Sequence, residues 1–138
     1  MDIVSREKRS AMMANIRGRN TRPEQAVRRA AHRLGLRFRL HRRDLPGSPD
    51  LVFPRLRTAL FVHGCYWHRH NGCKYSSMPK SNVEFWLKKL QTNVDRDIRV
   101  RRELEAGGWN VVIIWECETR DINTMTDILT REVCHAAG

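Results

Sequence analysis

Three side chains that commonly bind metal lie in one short segment, and their spacing constrains the fold more than any other feature of the sequence. Cys65, His70 and Cys73 fall within nine residues, and Cys117 follows a later apolar run. Structural zinc sites are closed tetrahedra of such sulfur and nitrogen ligands. The alternative is unconnected core thiols and surface histidines, but three ligands this close together favour zinc. We therefore expect one structural zinc site, with Cys134 outside it.

Capping signals and helical periodicity predict three helices. The first has Thr21 as its N-cap, with Glu24 reaching back to it, and Gly35 ends it. Ser81 opens a second capping box and a long helix that ends at Gly107. The last helix is expected over about 126–135. The apolar residues of the long helix are expected to face inward, and they are Phe85, Trp86, Leu90, Val94, Ile98 and Leu104.

Short apolar runs predict strands at 37–41, 51–53, 58–62 and 111–115, the last short enough to be a central strand. The order αβββαβα predicts an α/β domain in which helices flank a mixed sheet. We expect residues 1–138 to form a single domain, because the sequence shows no linker, repeat or low-complexity tract.

Positive charge is concentrated at the start of the chain. The net charge is +11, and residues 1–43 hold 13 Lys or Arg against three acidic residues. Such a face attracts a polyanion, and the dominance of arginine favours phosphate pairing over a merely solubilising surface. Residues 1–20 are expected to form a basic DNA-binding arm. With no apolar run of about 20 residues and no secretory signal, we expect a cytoplasmic protein rather than a membrane protein.

Two further groups of residues suggest chemistry. Asp50 precedes one strand, and His63 follows the next; a carboxylate there can hold a hard cation such as Mg²⁺. From Asp50 alone, the end of a turn is the favoured alternative. If zinc fixes the nearby loop, His68 is left for general acid or base work. Tyr66 and Trp67 then favour contact with bases, or insertion between them, over core packing.

Four segments of the chain resemble the very short patch repair endonucleases, which are relatives of restriction enzymes in the PD-(D/E)XK superfamily. The likeness covers about Ser5 to Arg120 and is carried by LPGSPDLVF, FVHGCYWHRHNGC, EFWLKKLQTNVDRD and GWNVVIIWEC. It implies a restriction-endonuclease-like fold and a Mg²⁺-dependent DNA endonuclease. Such an enzyme nicks one strand 5′ to the T of a T:G mismatch and so starts repair of deaminated 5-methylcytosine.

The resemblance also implies roles for individual residues. Asp50 and the backbone carbonyl of Val62 would bind Mg²⁺, and His68 would be the general base or position the attacking water. Three residues would surround the metal waters and the scissile phosphate: His63, Asp97 and Glu24. Zinc would be bound by Cys65, His70, Cys73 and Cys117. Tyr66 and Trp67 would wedge between bases, Met13 would enter from the opposite groove, and the mismatch would be read by Lys89 and Asn93.

The partners implied are double-stranded DNA with a T:G mismatch, a DNA-cytosine methyltransferase, and a repair polymerase and ligase. We expect a monomer at the bacterial nucleoid. The chain departs from the pattern in lacking the second acid and the lysine of the superfamily motif, with Phe61 and His63 near their places. Val62 stands where threonine is common. The gap before Cys73 leaves His68 as an alternative zinc ligand, and that binding would remove its catalytic role.

Two other functions fit parts of the sequence. A restriction endonuclease acting on matched duplex would need no wedge and would normally cut both strands as a dimer. A zinc-braced DNA-binding module without catalysis would account for the charge, the zinc ligands and the aromatic residues. It would leave Asp50, His63, His68 and Asp97 unexplained.

Overall fold

A four-stranded mixed sheet is the centre of the structure, a computed structural model that describes residues 21–74 and 76–134. The expected arm over residues 1–20, including Met13, lies outside the described residues. Strand β1 pairs with β2 and β2 with β3 in antiparallel fashion, whereas β3 and β4 are parallel. The strands lie in the order of their numbering, as β1 (Arg39–Leu40), β2 (Leu51–Phe53), β3 (Thr58–His63) and β4 (Asn110–Trp115).

Three helices accompany this sheet in the described residues: α1 (Arg22–Arg33), α2 (Val83–Ala106) and α3 (Ile122–Ile128). Because β3 and β4 are parallel, the chain must cross from one end of the sheet to the other between them, and α2 makes this crossing. The chain continues from α3 into a wider helical turn at Leu129–Val133. Within the described ranges, no helix is long and apolar enough to cross a membrane.

The strand residues alternate between two apolar cores, one on each face of the sheet. Leu60 and Ile114 belong to the core formed with α1 and α3, and both are fully buried. Ala59 and Val111 face the other way and pack with Leu104 of α2. Burial of one large aliphatic side chain contributes about 1.5–3 kcal/mol. The predicted α/β architecture, with helices on both sides of a mixed sheet, is confirmed.

The predicted N-cap at Thr21 and the predicted glycine at the end of α1 are confirmed. Thr21 Oγ1 accepts a hydrogen bond from the backbone N–H of Glu24, at 3.3 Å. Gly35 adopts a φ of +71°, which lets the N–H of Leu36 reach the carbonyl of Ala31 at 3.0 Å. These caps fix the register of the helix, and Glu24 is thereby held in its first turn.

The prediction for the start and the inward face of α2 is partly wrong. The helix begins at Val83 after Asn82, which has a φ of +48° and no side-chain cap bond, so Ser81 is not the N-cap. Phe85 and Ile98 are 61% and 47% exposed, so the buried face of this helix is narrower than the expected apolar stripe. Of the expected inward residues, Leu90 and Leu104 are buried.

Three other features of the strands and helices differ from expectation. In the described residues β4 is a terminal strand and not a central one; it is apolar because helices cover both of its faces. Strand β1 is shorter than predicted because His41, with a φ of +50°, turns the chain away. Helix α3 begins four residues earlier than expected, since Asp121 Oδ1 accepts from Asn123 N at 2.9 Å. His135 lies beyond the described residues.

Candidate functional site

One end of the sheet brings together side chains that are distant in sequence. Because β2 and β3 are antiparallel, the start of β2 lies beside the end of β3, so Asp50 meets Val62. Asp50 Oδ2 accepts a hydrogen bond from the Val62 N–H at 2.8 Å. The N–H and C=O of one strand residue point to the same edge, so the Val62 carbonyl also faces the Asp50 side. A carboxylate and a backbone carbonyl therefore line the same edge.

The turn before Asp50 is shaped by Gly47. Its φ is +74°, a left-handed conformation that side chains disfavour. A Cβ at this position would lie 2.5 Å from Val100 Cγ1 of α2. Glycine thus lets the turn approach α2 closely. The turn leads directly to Asp50, whose side chain lines the cleft beside α2.

Glu24 of α1 reaches the same end of the sheet and is only 2% exposed. Its Oε1 lies 2.8 Å from His41 Nε2 and 2.5 Å from Arg28 Nη2. Donor atoms of Glu24, His41 and Asp50 all lie within 4.8 Å of one another. This group, called here the acidic cluster, offers two carboxylates and one imidazole to a cation.

The electrostatics of Asp50 reflect its enclosure. Burial is the main cause that raises the pKa of Asp50 from 3.8 to about 6, and the negative charge of Glu24 adds to it. The hydrogen bond from Val62 and the charges of His68 and Arg28 act in the opposite direction. A carboxylate held in this way is stabilised by any cation that comes close to it.

A second group lies beside the acidic cluster, across the end of β3. His68 Nδ1 is 2.6 Å from Asp97 Oδ2 of α2. The His68 ring stacks on His63, with ring centroids 3.9 Å apart and planes 7° apart. Burial lowers the pKa of His63 to about 3, so His63 is neutral at physiological pH. Its Nδ1 is buried and has no hydrogen-bond partner among the described residues.

Both groups open into a cleft of about 1110 Å³ between α1, the sheet end and α2. The floor carries Asp50, His63 and His68, and Glu24 lines one side. The walls are basic, and their cationic residues are Arg22, Lys89, Arg96 and Arg101. The cleft therefore combines a floor of carboxylate and imidazole groups with walls suited to a phosphate backbone.

Trp67 lines this cleft next to the mismatch-reading residues predicted from the sequence. The Nδ2 of Asn93 donates to the Trp67 carbonyl at 3.3 Å. The Trp67 ring lies 5.2 Å from that of Tyr66 and 6.2 Å from that of Trp86. Lys89 Nζ lies 5.6 Å from the Trp86 ring centroid. Tyr66 and Trp67 are both half-buried, and of the two it is Trp67 that lines the cleft.

The four sequence-predicted zinc ligands come together in the structure. Donor atoms of Cys65, His70, Cys73 and Cys117 lie within 4.8 Å of one another, and we call this group the thiol cluster. His68 is not part of it. Burial raises the pKa of Cys65, and that of Cys117 to about 12, so these two thiols are protonated at neutral pH.

Trp115 connects the thiol cluster to the cleft. Its ring stacks on His70 at 4.3 Å and contacts the edge of His63 at 5.3 Å. Cys117 follows two residues later, and its N–H donates to Cys65 Sγ at 3.4 Å. The loop that carries Tyr66, Trp67 and His68 is thus anchored at the end of β4. Cys134 is not a member of the cluster.

Comparison with known proteins identifies the family. Residues 1–74 match the family model described as DNA mismatch endonuclease Vsr. The chain is 49% identical over 124 residues to the type II nicking enzyme V.XorIIP of Xanthomonas oryzae, covering 90% of each chain. It is 39% identical over 126 residues to the DNA mismatch endonuclease Vsr of Escherichia coli, covering 91% of this chain and 80% of that protein. The chain belongs to the Vsr family.

A third Vsr-family relative is the type II nicking enzyme V.NmeAIP of Neisseria meningitidis, 39% identical over 132 residues. The match covers 96% of this chain and 94% of that protein. Vsr and the nicking enzymes are DNA endonucleases, so the predictions of the family and of a DNA-cleaving hydrolase are confirmed.

Two residues of this Vsr-family site were not predicted from the sequence. His41 and Arg28 both contact the Glu24 carboxylate. Arg28 could have been noticed, since it stands four residues after Glu24 on one helix face. His41 ends the predicted strand, but only the pairing of β1 with β2, where its N–H donates to the Asp50 carbonyl at 3.2 Å, brings it to the cluster.

Proposed function

We propose that this chain nicks one strand of duplex DNA 5′ to the T of a T:G mismatch. The reaction is a divalent-metal-dependent hydrolysis that starts repair of deaminated 5-methylcytosine. One observation carries the proposal: Asp50 and the Val62 backbone face a basic cleft directly beside His68 and Asp97. The fold assigned to this activity is restriction-endonuclease-like, and the chain acts as a single domain with a basic arm over residues 1–20.

The donor set at the sheet end fits a catalytic Mg²⁺. Asp50 would provide a carboxylate oxygen and Val62 its backbone carbonyl, which are oxygen ligands that this ion takes, and Glu24 would lie beside the metal waters. When bound, the ion polarises the scissile phosphate and lowers the pKa of water. The raised pKa of Asp50 supports this role, because a buried carboxylate gains from a cation that enters the cleft.

We assign to His68 the role of accepting the proton of the attacking water. A carboxylate accepts hydrogen bonds, so the short contact with Asp97 calls for a proton on His68 Nδ1. The Nε2 atom is then the basic one. His63 stacks against the other face of the ring and limits its rotation. General-base catalysis of this kind contributes about 10²–10⁴-fold to a rate.

The thiol cluster suits a structural zinc ion. Three cysteines and one histidine complete a tetrahedral set, which leaves no position for substrate. With zinc bound, the loop carrying Tyr66, Trp67 and His68 is fixed beside Asp50. We assign Tyr66 and Trp67 to insertion at the mismatch, with Met13 approaching from the opposite groove and Lys89 and Asn93 reading the bases.

The proposed setting follows from the substrate. An enzyme that acts on chromosomal DNA works where that DNA lies, so we place it at the bacterial nucleoid, in the cytoplasm. One active cleft per chain and single-strand nicking fit a monomer. A cytosine methyltransferase creates the base whose deamination gives T:G, and a polymerase and ligase would complete the repair that the nick starts.

The test is a nicking assay on paired oligonucleotide duplexes that differ only in T:G against T:A, with each strand labelled separately. We expect one nick, 5′ to the mismatched T, and at least about a thousandfold loss of rate in Asp50→Ala with DNA affinity retained. Asp44→Ala is the matched control, because Asp44 is an exposed carboxylate outside the cleft. Cutting of both strands in T:A duplex would instead indicate a restriction enzyme, and binding without cutting a DNA-binding module.

A further inference from the structure

The side chain of Arg69 connects two parts of the chain beside the thiol cluster. Its Nη1 donates to the Ser77 carbonyl at 2.9 Å, and its Nη2 donates to the Ser76 carbonyl at 3.1 Å. The guanidinium carbon also lies over the ring of Tyr66, 5.5 Å from the ring centroid. One planar group therefore binds two successive carbonyls through its N–H groups and covers an aromatic ring with its face.

The backbone of Arg69 adopts a conformation that its contacts must stabilise. Its φ is +55°, in the left-handed region that residues other than glycine disfavour. Such a conformation persists only where the surrounding structure fixes it. The Arg69 N–H also donates to the Tyr66 carbonyl at 3.4 Å, so the backbone and the side chain both join Arg69 to Tyr66.

Arg69 differs from the arginines of the cleft walls, because its side chain is already engaged within the protein. Arg22, Arg96 and Arg101 are exposed and line the cleft, where a phosphate backbone can reach them. Arg69 is half-buried and lies outside the cleft lining in the described part of the chain. Its bonds to two carbonyls and its contact with Tyr66 favour a positioning role over phosphate binding.

We propose that Arg69 is a positioning residue for mismatch recognition, and that its planar guanidinium, not its charge alone, holds the Tyr66 ring in the orientation that inserts at T:G. This inference rests on the proposed function, which assigns insertion to Tyr66 and Trp67. A side chain that is ordered before binding loses less rotamer entropy when it inserts, which favours the inserted complex by about three- to tenfold. Matched T:A duplex gains no such benefit, since its base pairs stay stacked and no ring enters.

The experiment compares Arg69→Lys with wild type, both zinc-loaded, on the T:G and T:A duplexes of the nicking assay. Lysine keeps the positive charge, but its ammonium is a point charge that cannot bind two carbonyls in one plane and cover a ring. Arg57→Lys is the matched control. The Arg57 guanidinium also donates to two successive carbonyls, those of Gly107 and Gly108, and lies 5.0 Å from the Trp109 ring centroid. It stands at the end of β3 that is remote from the cleft.

We expect Arg69→Lys to keep its zinc and to bind T:A duplex with the affinity and salt dependence of wild type. Its preference for T:G over T:A, measured in affinity and in nicking rate, should fall by about three- to tenfold. In a Tyr66→Ala background the same change should have no further effect on this preference, because the ring that Arg69 positions is gone. Arg57→Lys should keep the preference of wild type.

Nuclear magnetic resonance tests the contact in wild type directly. The guanidinium protons of Arg69 should be shifted upfield by the Tyr66 ring and should show a nuclear Overhauser effect to its ring protons. This spectrum judges the proposal even if Arg69→Lys loses zinc or folds poorly, because absence of the contact would overturn it.

An unchanged T:G preference in folded, zinc-loaded Arg69→Lys would also overturn the proposal, as would an equal loss in the Tyr66→Ala background. Equal losses of affinity for T:G and T:A would show that the guanidinium binds a phosphate of either duplex instead. Those results leave the proposed function standing, because Asp50-dependent nicking at T:G is measured separately. Loss of the proposed function itself would appear as undiminished nicking by Asp50→Ala.

Discussion

Replacing Asp50 by asparagine should stabilise the metal-free protein. The variant keeps an oxygen that accepts from the Val62 N–H, but it removes a buried charge. The pKa of Asp50 rises from 3.8 in the unfolded chain to about 6 in the fold, chiefly because of burial. At 1.36 kcal/mol per pKa unit, this difference corresponds to a destabilisation of about 3 kcal/mol when the carboxylate is ionised.

The effect has a defined pH window. Below pH 3.8 the carboxyl is protonated in both states, and its charge costs no stability. As the pH rises from 3.8 to about 6, the unfolded chain releases the proton first, so the folded state of the wild type loses stability. Above about pH 6 the whole penalty is present. The stability advantage of Asp50→Asn over wild type should therefore be largest at pH 8 and small at pH 4.

The assay is thermal unfolding with chelator present, between pH 4 and pH 8, for wild type, Asp50→Asn and Asp44→Asn. At pH 8 the Asp50 variant should melt on the order of 10 °C above wild type. His63 has the opposite effect on the pH dependence of stability, because its pKa of about 3 means that acid destabilises the fold. Wild type and variant both contain His63, so its contribution cancels in the comparison. Asp44→Asn should not raise the melting temperature, because Asp44 is exposed and paired with Arg42.

Magnesium should cancel most of the difference in stability between wild type and Asp50→Asn. A cation bound by the carboxylate stabilises the folded wild type by about 2.7 kcal/mol at a hundred times its Kd, and the asparagine variant should gain little. If metal-free Asp50→Asn melted no higher than wild type at pH 8, the carboxylate would not be held at an energetic cost. The interpretation that burial destabilises the ionised Asp50 carboxylate, and that a cation would stabilise it, would then be wrong.

Three further predictions concern zinc, proton transfer and mismatch choice. Purified protein should hold about one zinc per chain, and Cys117→Ser should lose it and melt lower; unchanged zinc content and melting would remove Cys117 from the ligand set. His68→Ala should slow nicking by about 10²–10⁴-fold at unchanged DNA affinity, in single-turnover assays; near-normal rates would rule it out as the base. Folded Trp67→Ala should keep salt-dependent affinity but lose most T:G over T:A preference, since stacking contributes about 1–3 kcal/mol; retained discrimination would make Trp67 a packing residue.

Much of this site was predictable because its signals are local. The thiol cluster draws three of its four members from one loop, and the zinc ligands were proposed from that spacing. The cap at Thr21 and the glycine at the end of α1 involve neighbours within a few residues. Strands β2 and β3 were also placed nearly at their observed limits, because continuous apolar runs between turns are strong signals.

Other features depended on packing and were not predictable. Phe85 and Ile98 belong to the expected apolar stripe of α2 but are exposed, because helical periodicity does not show how much of that stripe other elements cover. The terminal position of β4 has the same origin: an apolar strand can be covered by helices on its faces as well as by strands at its edges.

The sequence by itself determined the Vsr-family resemblance, the caps of α1, the apolar runs and the two cysteines that the loop brings to the thiol cluster, since each rests on residues close along the chain. Only the tertiary structure decided that His41 meets Glu24, and that His68 turns to Asp97 while His70 joins the cysteines. The reason is physical. Such contacts join segments 17 to 47 residues apart, and they form only when strand pairing and helix packing fix both partners in space.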